Sequence, residues 1–322
     1  MKIVTLETAA QLLKAGEVVA IPTETVYGLA ADARNDEGVQ KIFKAKGRPA
    51  DNPLIVHVGN PHQVESLTSD ISEKAQMLMT HFWPGPLTLI LPSAGVVSSF
   101  VTAGLDTIAL RMPKHPLTLE LLQTSNIPLA APSANLSGKP SPTSVSHVKY
   151  DLKDTIAGIV DGGTCEIGLE STVIDMSTNM PTILRPGHVS QAQIEAVIGP
   201  VEVAGDDAFK PKSPGTKYAH YAPNADLYIV KGDVRFMRSL ILNHKKQGLK
   251  VGVLCHSSAT SRYQRANFAL GIGAKGKNLY HALRSFDKAG VHIILSEVFD
   301  DEIIMNRLMK ASKERILSEL EN

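Results

Sequence analysis

Cysteine is scarce in this sequence: Cys165 and Cys255 are the only two in 322 residues. Far apart in the chain, they form neither a disulfide framework nor a zinc-ligand pattern, which suits a reducing, cytoplasmic setting. Excess charge is equally scarce. The 33 Lys and Arg against 32 Asp and Glu leave a formal net charge of +1, which excludes a global basic coat for nucleic acid or an anionic membrane. Any phosphate-binding patch must be local. No run approaches the ~20 apolar residues of a membrane span. The opening MKIVTLETAA lacks the continuous apolar core of a signal peptide, so no membrane partner is expected. Common signatures are missing too. There is no G-x-x-x-x-G-K-[ST], since SGKPS at 137–141 has the lysine without the loop, and no H-E-x-x-H or G-x-S-x-G. GIGAKG at 271–276 fits G-x-G-x-x-G, but the strand signal before it is weak, and it reads as a loop.

What is present is an α/β pattern. Hydrophobic residues make up 43% of the chain, and the length allows two domains. Short β-branched runs at 17–23, 53–58, 87–92, 107–113, 127–134, 158–163 and 171–176 read as strands. Between the first two, NDEGVQKIFKAKG reads as a helix, with Asn35 as cap, Asp36 and Glu37 at the positive end and Gly47 as the stop. Strands alternating with helices predict layered α/β architecture. Residues 204–224 change character: Pro, Gly, Ser and Lys replace periodic apolar residues, as in an exposed connection. A second, smaller α/β pattern follows, with strands in DLYIVKG, LKVGVLCHS and VHIILSE. Helices are expected over VRFMRSLILNHKKQ and, at the close, over DEIIMNRLMKASKERIL. The expected division is 1–203, a tether at 204–224, and 225–322.

KAKGRP at 44–49 crowds Lys44, Lys46 and Arg48 together. Alone it reads as a helix end whose cations complement the macrodipole and dissolve in water. Its company changes the odds. Thr23 and Thr25 stand beside a tight turn in PTETVYGLAADA. TIALR ends a buried-looking strand in Arg111, which must meet a carboxylate of the protein or of a ligand. APSANLSGKPSPTS packs serines, Asn135 and Gly138 after another strand, and small residues let backbone N–H groups approach a phosphate. LESTVIDM and ILRPG add Ser171 and Arg185. One ligand site explains these loops together.

These motifs resemble the YrdC-like family. PTETVYGL, the K-x-R of Lys46-Gly47-Arg48, the NPL at 52–54 and the S-x-N of Ser133-Ala134-Asn135 carry the likeness. SPGTKYAHYAP at 213–223 and the segment after it are similar to the family's longer members, which are threonylcarbamoyl-AMP synthases. The resemblance implies a large domain with a twisted open sheet and helices, and a smaller Rossmann-like α/β domain joined by a long tether. It implies that L-threonine, bicarbonate and ATP give threonylcarbamoyl-AMP and pyrophosphate, with Mg2+ expected on the phosphates. A downstream tRNA threonylcarbamoyltransferase, and a weak tRNA contact, are the implied partners.

Carried over residue by residue, the resemblance makes Lys46 and Arg48 catalytic, neutralising charge as pyrophosphate departs. Arg48, Asn52, Thr107, Ser133, Asn135, Ser141, Arg185 and Tyr221 fall to ATP. Thr25, His57, Arg111, Ser171 and the carbonyl of Ala131 fall to threonine, with Arg111 as a planar fork for its carboxylate. Tyr218 and Tyr221 lie in the tether, which is expected to fold over the nucleotide. By its own residue type His57 reads as a satisfied strand histidine, which only the resemblance raises to a ligand, and Thr107 reads also as a plain strand threonine. The alternative function is a non-catalytic RNA-binding module of the same fold, for which a charge of +1 is thin.

Overall fold

Ten short strands build one mixed sheet in the first part of the chain. The structure is a computed structural model describing residues 2–205 and 220–319. The strands are β1 (Val19–Ile21), β2 (Gly28–Asp32), β3 (Ile55–His57), β4 (Leu87–Pro92), β5 (Thr107–Arg111), β6 (Leu129–Ala130), β7 (Gly158–Ile159), β8 (Thr172–Asp175), β9 (Thr182–Arg185) and β10 (Glu202–Val203). Their order across the sheet is β10-β9-β8-β4-β5-β3-β6-β2-β1-β7. β3 runs parallel to β5 and β4 parallel to β8, while β4 is antiparallel to β5. The start of β4 therefore lies beside the end of β5.

Side chains alternate across a strand, and the alternation divides this sheet into two surfaces. Leu54, Val56, Leu89, Ile108, Leu110 and Ile174 join the main core on one side. Ile55, Ile90, Ala109 and Val173 form a small separate apolar floor, with Leu184 packed against it. Residues two positions along from that floor include His57, Thr88, Thr107, Arg111 and Ser171.

Two expectations change here. PTETVYGLAADA, read as a loop, contains β2, which pairs antiparallel with β1. ILRPG, likewise read as a loop, supplies β9. Both strands are short, and hairpin pairing with a neighbour defines them more than their own composition. The run at 127–134 shrinks to Leu129–Ala130, with Pro132 close behind.

The chain folds as two compact units, one of Met1–Ser137 with Ser141–Tyr218 and another of Gly138–Pro140 with Ala219–Asn322. Within the second, β11 (Asp226–Lys231), β12 (Val251–His256), β13 (Phe268–Ile272), β14 (Ile293–Ser296) and β15 (Ile316–Ser318) form an all-parallel sheet in the order β13-β12-β14-β11-β15. The fourth strand lies between the first and second, unlike the 3-2-1-4-5 order of dinucleotide-binding folds. GIGAKG begins inside β13 and continues into a short 3-10 turn, Ala274–Gly276. The closing helix stops at Ser312, where Lys313 (φ 53°) and Glu314 (φ 61°) take left-handed conformations, and its expected tail becomes β15. A β-branched residue and a parallel neighbour at Ile229 favour a strand there over another helical turn. Among the described residues no helix is long and apolar enough to cross a membrane.

Candidate functional site

KAKGRP divides its cations. The helix Asp36–Lys46 starts where Asn35 accepts from the N–H of Gly38 at 2.9 Å, and ends on Gly47 at φ 58°. Lys44 points to water, whereas Lys46 is buried. Its ammonium donates to the carbonyl of Asn135 at 2.8 Å and to that of Ser133. The Ser137 N–H returns a bond to the Lys46 carbonyl at 2.8 Å. The K-x-R and S-x-N elements are thus one structure. Burial first, then the Arg48 charge, pushes the Lys46 pKa well below that of a free lysine. Arg48, half-buried, donates to the Asn52 carbonyl at 3.0 Å and sits 5.9 Å from the centre of the Phe43 ring. Asn52 is fully buried, and neither its amide nitrogen nor its oxygen finds a hydrogen-bond partner. Such orphaned groups are costly unless a ligand satisfies them.

Arg111 closes β5 beside His57 at the end of β3, in register. Its guanidinium donates from Nη1 to Thr25 Oγ1 at 2.9 Å and from Nε to the Gly85 carbonyl at 3.2 Å. Its Nη2 lies 2.7 Å from Glu24 Oε1, at ion-pair distance without hydrogen-bond alignment. The carboxylate it meets here is therefore the protein's own. His57 is pushed down to about 3 by burial and by the Arg111 charge, so its ring is neutral at physiological pH, and its Nδ1 finds no partner. Thr25 also shares a 2.8 Å bond with Thr23.

A third group begins β8 and ends β9. Ser171 shares a 2.7 Å hydrogen bond with Thr88. Arg185 donates from Nε to the Ser171 carbonyl at 3.0 Å and from Nη2 to its hydroxyl at 3.1 Å. Gly187 is needed beside them, because a Cβ there would stand 2.3 Å from the Thr172 nitrogen. Ser141 donates to Glu170 Oε1 at 2.6 Å.

Backbone bonds knit these groups together. Tyr27, two residues after Thr25, donates to the Pro142 carbonyl at 2.9 Å. Thr172 donates to Pro86 at 3.0 Å, next to the Gly85 that Arg111 uses. Gly28 bridges Ser133. Lys46, Arg111, Ser133 and Arg185 accordingly belong to one connected region.

Ala131 donates its N–H to Ile55 at 2.9 Å. Thr107 shares the Arg111 face of β5 but stands four residues away, about 13 Å along the strand. The β3–β5 register, with Ile55 opposite Ala109, puts Thr107 at the end of β5 that faces toward the Asn52 side of β3. Tyr221 belongs to the second unit, buried, with its ring 5.2 Å from that of Tyr280. Tyr218 lies outside the described residues.

Glu24, Glu170 and Thr88 were absent from the candidates raised by sequence. A carboxylate between two threonines in PTETV, and a single hydroxyl in the apolar LTLILP, were the available signals.

The class defined by fold and site is an α/β protein that spreads cations and hydroxyls over one face of a mixed sheet. The Sua5/YciO/YrdC family model, described as "Telomere recombination", matches residues 11–187. A second model, the threonylcarbamoyl-AMP synthase C-terminal domain, matches 189–313. The chain is 51% identical to a threonylcarbamoyl-AMP synthase of Bacillus subtilis, over 96% of this chain and 93% of that one. To one from Pyrococcus abyssi it is 46% identical, over 97% and 95%. The solved P. abyssi Sua5 complexed with L-threonine superposes with a TM-score of 0.91 at 45% identity, covering 97% of this chain and 95% of that one. The chain belongs to this family, among its two-domain threonylcarbamoyl-AMP synthases.

Proposed function

We propose that the site described above joins L-threonine, bicarbonate and ATP into threonylcarbamoyl-AMP. Bicarbonate loses hydroxide to give CO2, which the threonine amine captures as a carbamate with loss of a proton, so that one water is released. A carbamate oxygen then bonds to the α-phosphorus of ATP as the bond from that phosphorus to the bridging oxygen breaks, and pyrophosphate leaves. The observation that carries this reading is the spread of groups over one sheet face, with Lys46, Arg48, Asn52, Ser133 and Thr107 toward one end and His57, Arg111 and Thr25 toward the other.

Lys46 spends part of its ammonium on two carbonyls, leaving donor capacity for a phosphate, and phosphate charge opposes the pKa depression that burial imposes. Asn52 offers the nucleotide a donor and an acceptor with no competing partner. Ser133, Asn135, Ser141, Arg185 and Thr107 would contact the nucleotide. Thr25, His57, Ser171 and the Ala131 carbonyl would hold threonine. Arg111 binds the threonine carboxylate with whatever donor capacity Glu24, Thr25 and Gly85 leave. Among the described residues no group of three or more His, Cys, Asp and Glu could hold a metal ion. Mg2+ would arrive on the phosphates, and no step here depends on it.

Domains of 1–203 and 225–322, a tether at 204–224 (of which 206–219 lie outside the described residues) closing over the nucleotide, and a Tyr221 contact with ATP belong to the same proposal. A cytoplasmic site of action, a tRNA threonylcarbamoyltransferase as consumer of the product, and a weak tRNA contact complete it. The deciding test supplies pure protein with ATP, bicarbonate and threonine, omitting each in turn. Pyrophosphate release should require all three, and release independent of threonine would overturn the reading. Deleting residues 204–322 should lower product yield; an undiminished yield removes the lid role.

A further inference from the structure

SGKPS at 137–141 has a lysine without a P-loop around it, and the two compact units share this short loop. Ser137 and Ser141 belong to the first unit, whereas Gly138–Pro140 belong to the second. The ends of the loop are tied within the first unit. The Ser137 N–H donates to the Lys46 carbonyl at 2.8 Å, and the Ser141 hydroxyl donates to Glu170 Oε1 at 2.6 Å.

Each residue between those ends is held within the second unit. The Gly138 carbonyl accepts from the Ala222 N–H at 2.8 Å. The Lys139 ammonium donates to Asn224 Oδ1, and the Pro140 carbonyl accepts from Arg284 Nη2. Gly138 has a left-handed φ of 86°, which glycine adopts without strain. One helix organises these contacts. Tyr280, Arg284 and Asp287 stand at i, i+4 and i+7 on the helix Leu279–Ala289, so they share a face. The Tyr280 ring stacks on that of Tyr221 at 5.2 Å, and Asp287 accepts from the Asn224 N–H at 2.6 Å. The segment that grips Gly138 and Lys139 is thus fixed by the helical neighbours of Arg284.

We propose that Arg284 is a positioning residue for ATP, acting through the loop at 137–141. The Pro140 carbonyl shares a peptide plane with the Ser141 nitrogen, so the bond from Arg284 orients the entry to Ser141. A cationic donor makes that bond stronger than a neutral one, and the Pro140 ring removes the freedom of φ that could relax it. Lys139 is an anchor of the same loop. The inference rests on the nucleotide reading of Ser133, Asn135 and Ser141, and it gives the second unit a part in ATP binding distinct from closure by the tether.

The test compares full-length wild type with Arg284→Met, which removes the donor and keeps an unbranched stem, and with Arg284→Lys, which restores a cation. Calorimetry with ATP alone reads its Kd, and pyrophosphate release reads the KM for ATP and for threonine. In Arg284→Met the ATP Kd and KM should rise about tenfold, as for loss of one charge-assisted bond, with the threonine KM within about twofold of wild type. Arg284→Lys should recover part of the loss. Hydrogen exchange across 137–141 should quicken in Arg284→Met. Should that variant fail to fold, Asn224→Ala, at an exposed position, releases Lys139 and should raise the ATP Kd about threefold. Wild-type ATP affinity in the variants, or equal rises in both KM values, would overturn the proposal. If wild-type protein binds ATP yet releases pyrophosphate without threonine, the catalytic reading falls, and the calorimetric comparison still decides the role of Arg284.

Discussion

Glu24 and Arg111 face each other at 2.7 Å, both buried, at ion-pair distance without hydrogen-bond alignment. The pair places a fixed negative charge against the guanidinium proposed to bind the substrate carboxylate. Removing one member leaves the other as an uncompensated buried charge. Glu24→Ala should therefore cost about 3–5 kcal/mol of stability, and Glu24→Ala/Arg111→Met should cost less than the two single changes summed. Urea unfolding of the four proteins checks this. Additive losses would show that the contact carries no coupling.

Lys46 ties two motifs together as well as offering charge to the nucleotide. Lys46→Ala and Arg48→Ala should each lower pyrophosphate release about 10²–10³-fold, the range seen when one preorganised donor to developing charge is lost. Lys46→Ala should also loosen the Ser133–Asn135 loop, since two carbonyls lose their donor. Steady-state pyrophosphate release measures the first effect and hydrogen exchange at Asn135 and Ser137 the second. Wild-type turnover in both variants would remove their assigned role.

Arg111→Ala separates the two substrates. A lost charge-assisted contact is worth about 1.5–3 kcal/mol, so the threonine KM should rise roughly tenfold to a hundredfold while the ATP KM moves little. Equal changes in both would count against a carboxylate clamp.

His57 makes the fold acid-sensitive. Its folded-state pKa of about 3 lies below the 6.5 of the free side chain, so the unfolded chain binds the proton first. Its contribution is fully present above pH 6.5 and is lost as pH falls from there toward 3. At pH 5 the loss amounts to about 2 kcal/mol. His57→Gln should lack this component, and comparing unfolding midpoints of both proteins at pH 8 and pH 5 measures it. Parallel pH dependence would show that His57 is not buried neutral.

Much of this protein can be read from local sequence because local rules act over a few residues. Asn35, Asp36 and Gly47 bound one helix by cap, macrodipole and left-handed stop. Leu87–Pro92 forms a strand over the length its apolar run suggests, and four ordered motifs point to the family. What they could not supply is partnership across the sheet. Strand β2 exists because β1 and β6 flank it. Arg111 meets Glu24 through strand order rather than sequence spacing, and Lys44 is solvated while Lys46 is buried because only one faces the Ser133 loop. Local preferences are set by each residue and its near neighbours, whereas burial and the pairing of charges depend on which distant segments the sheet brings together.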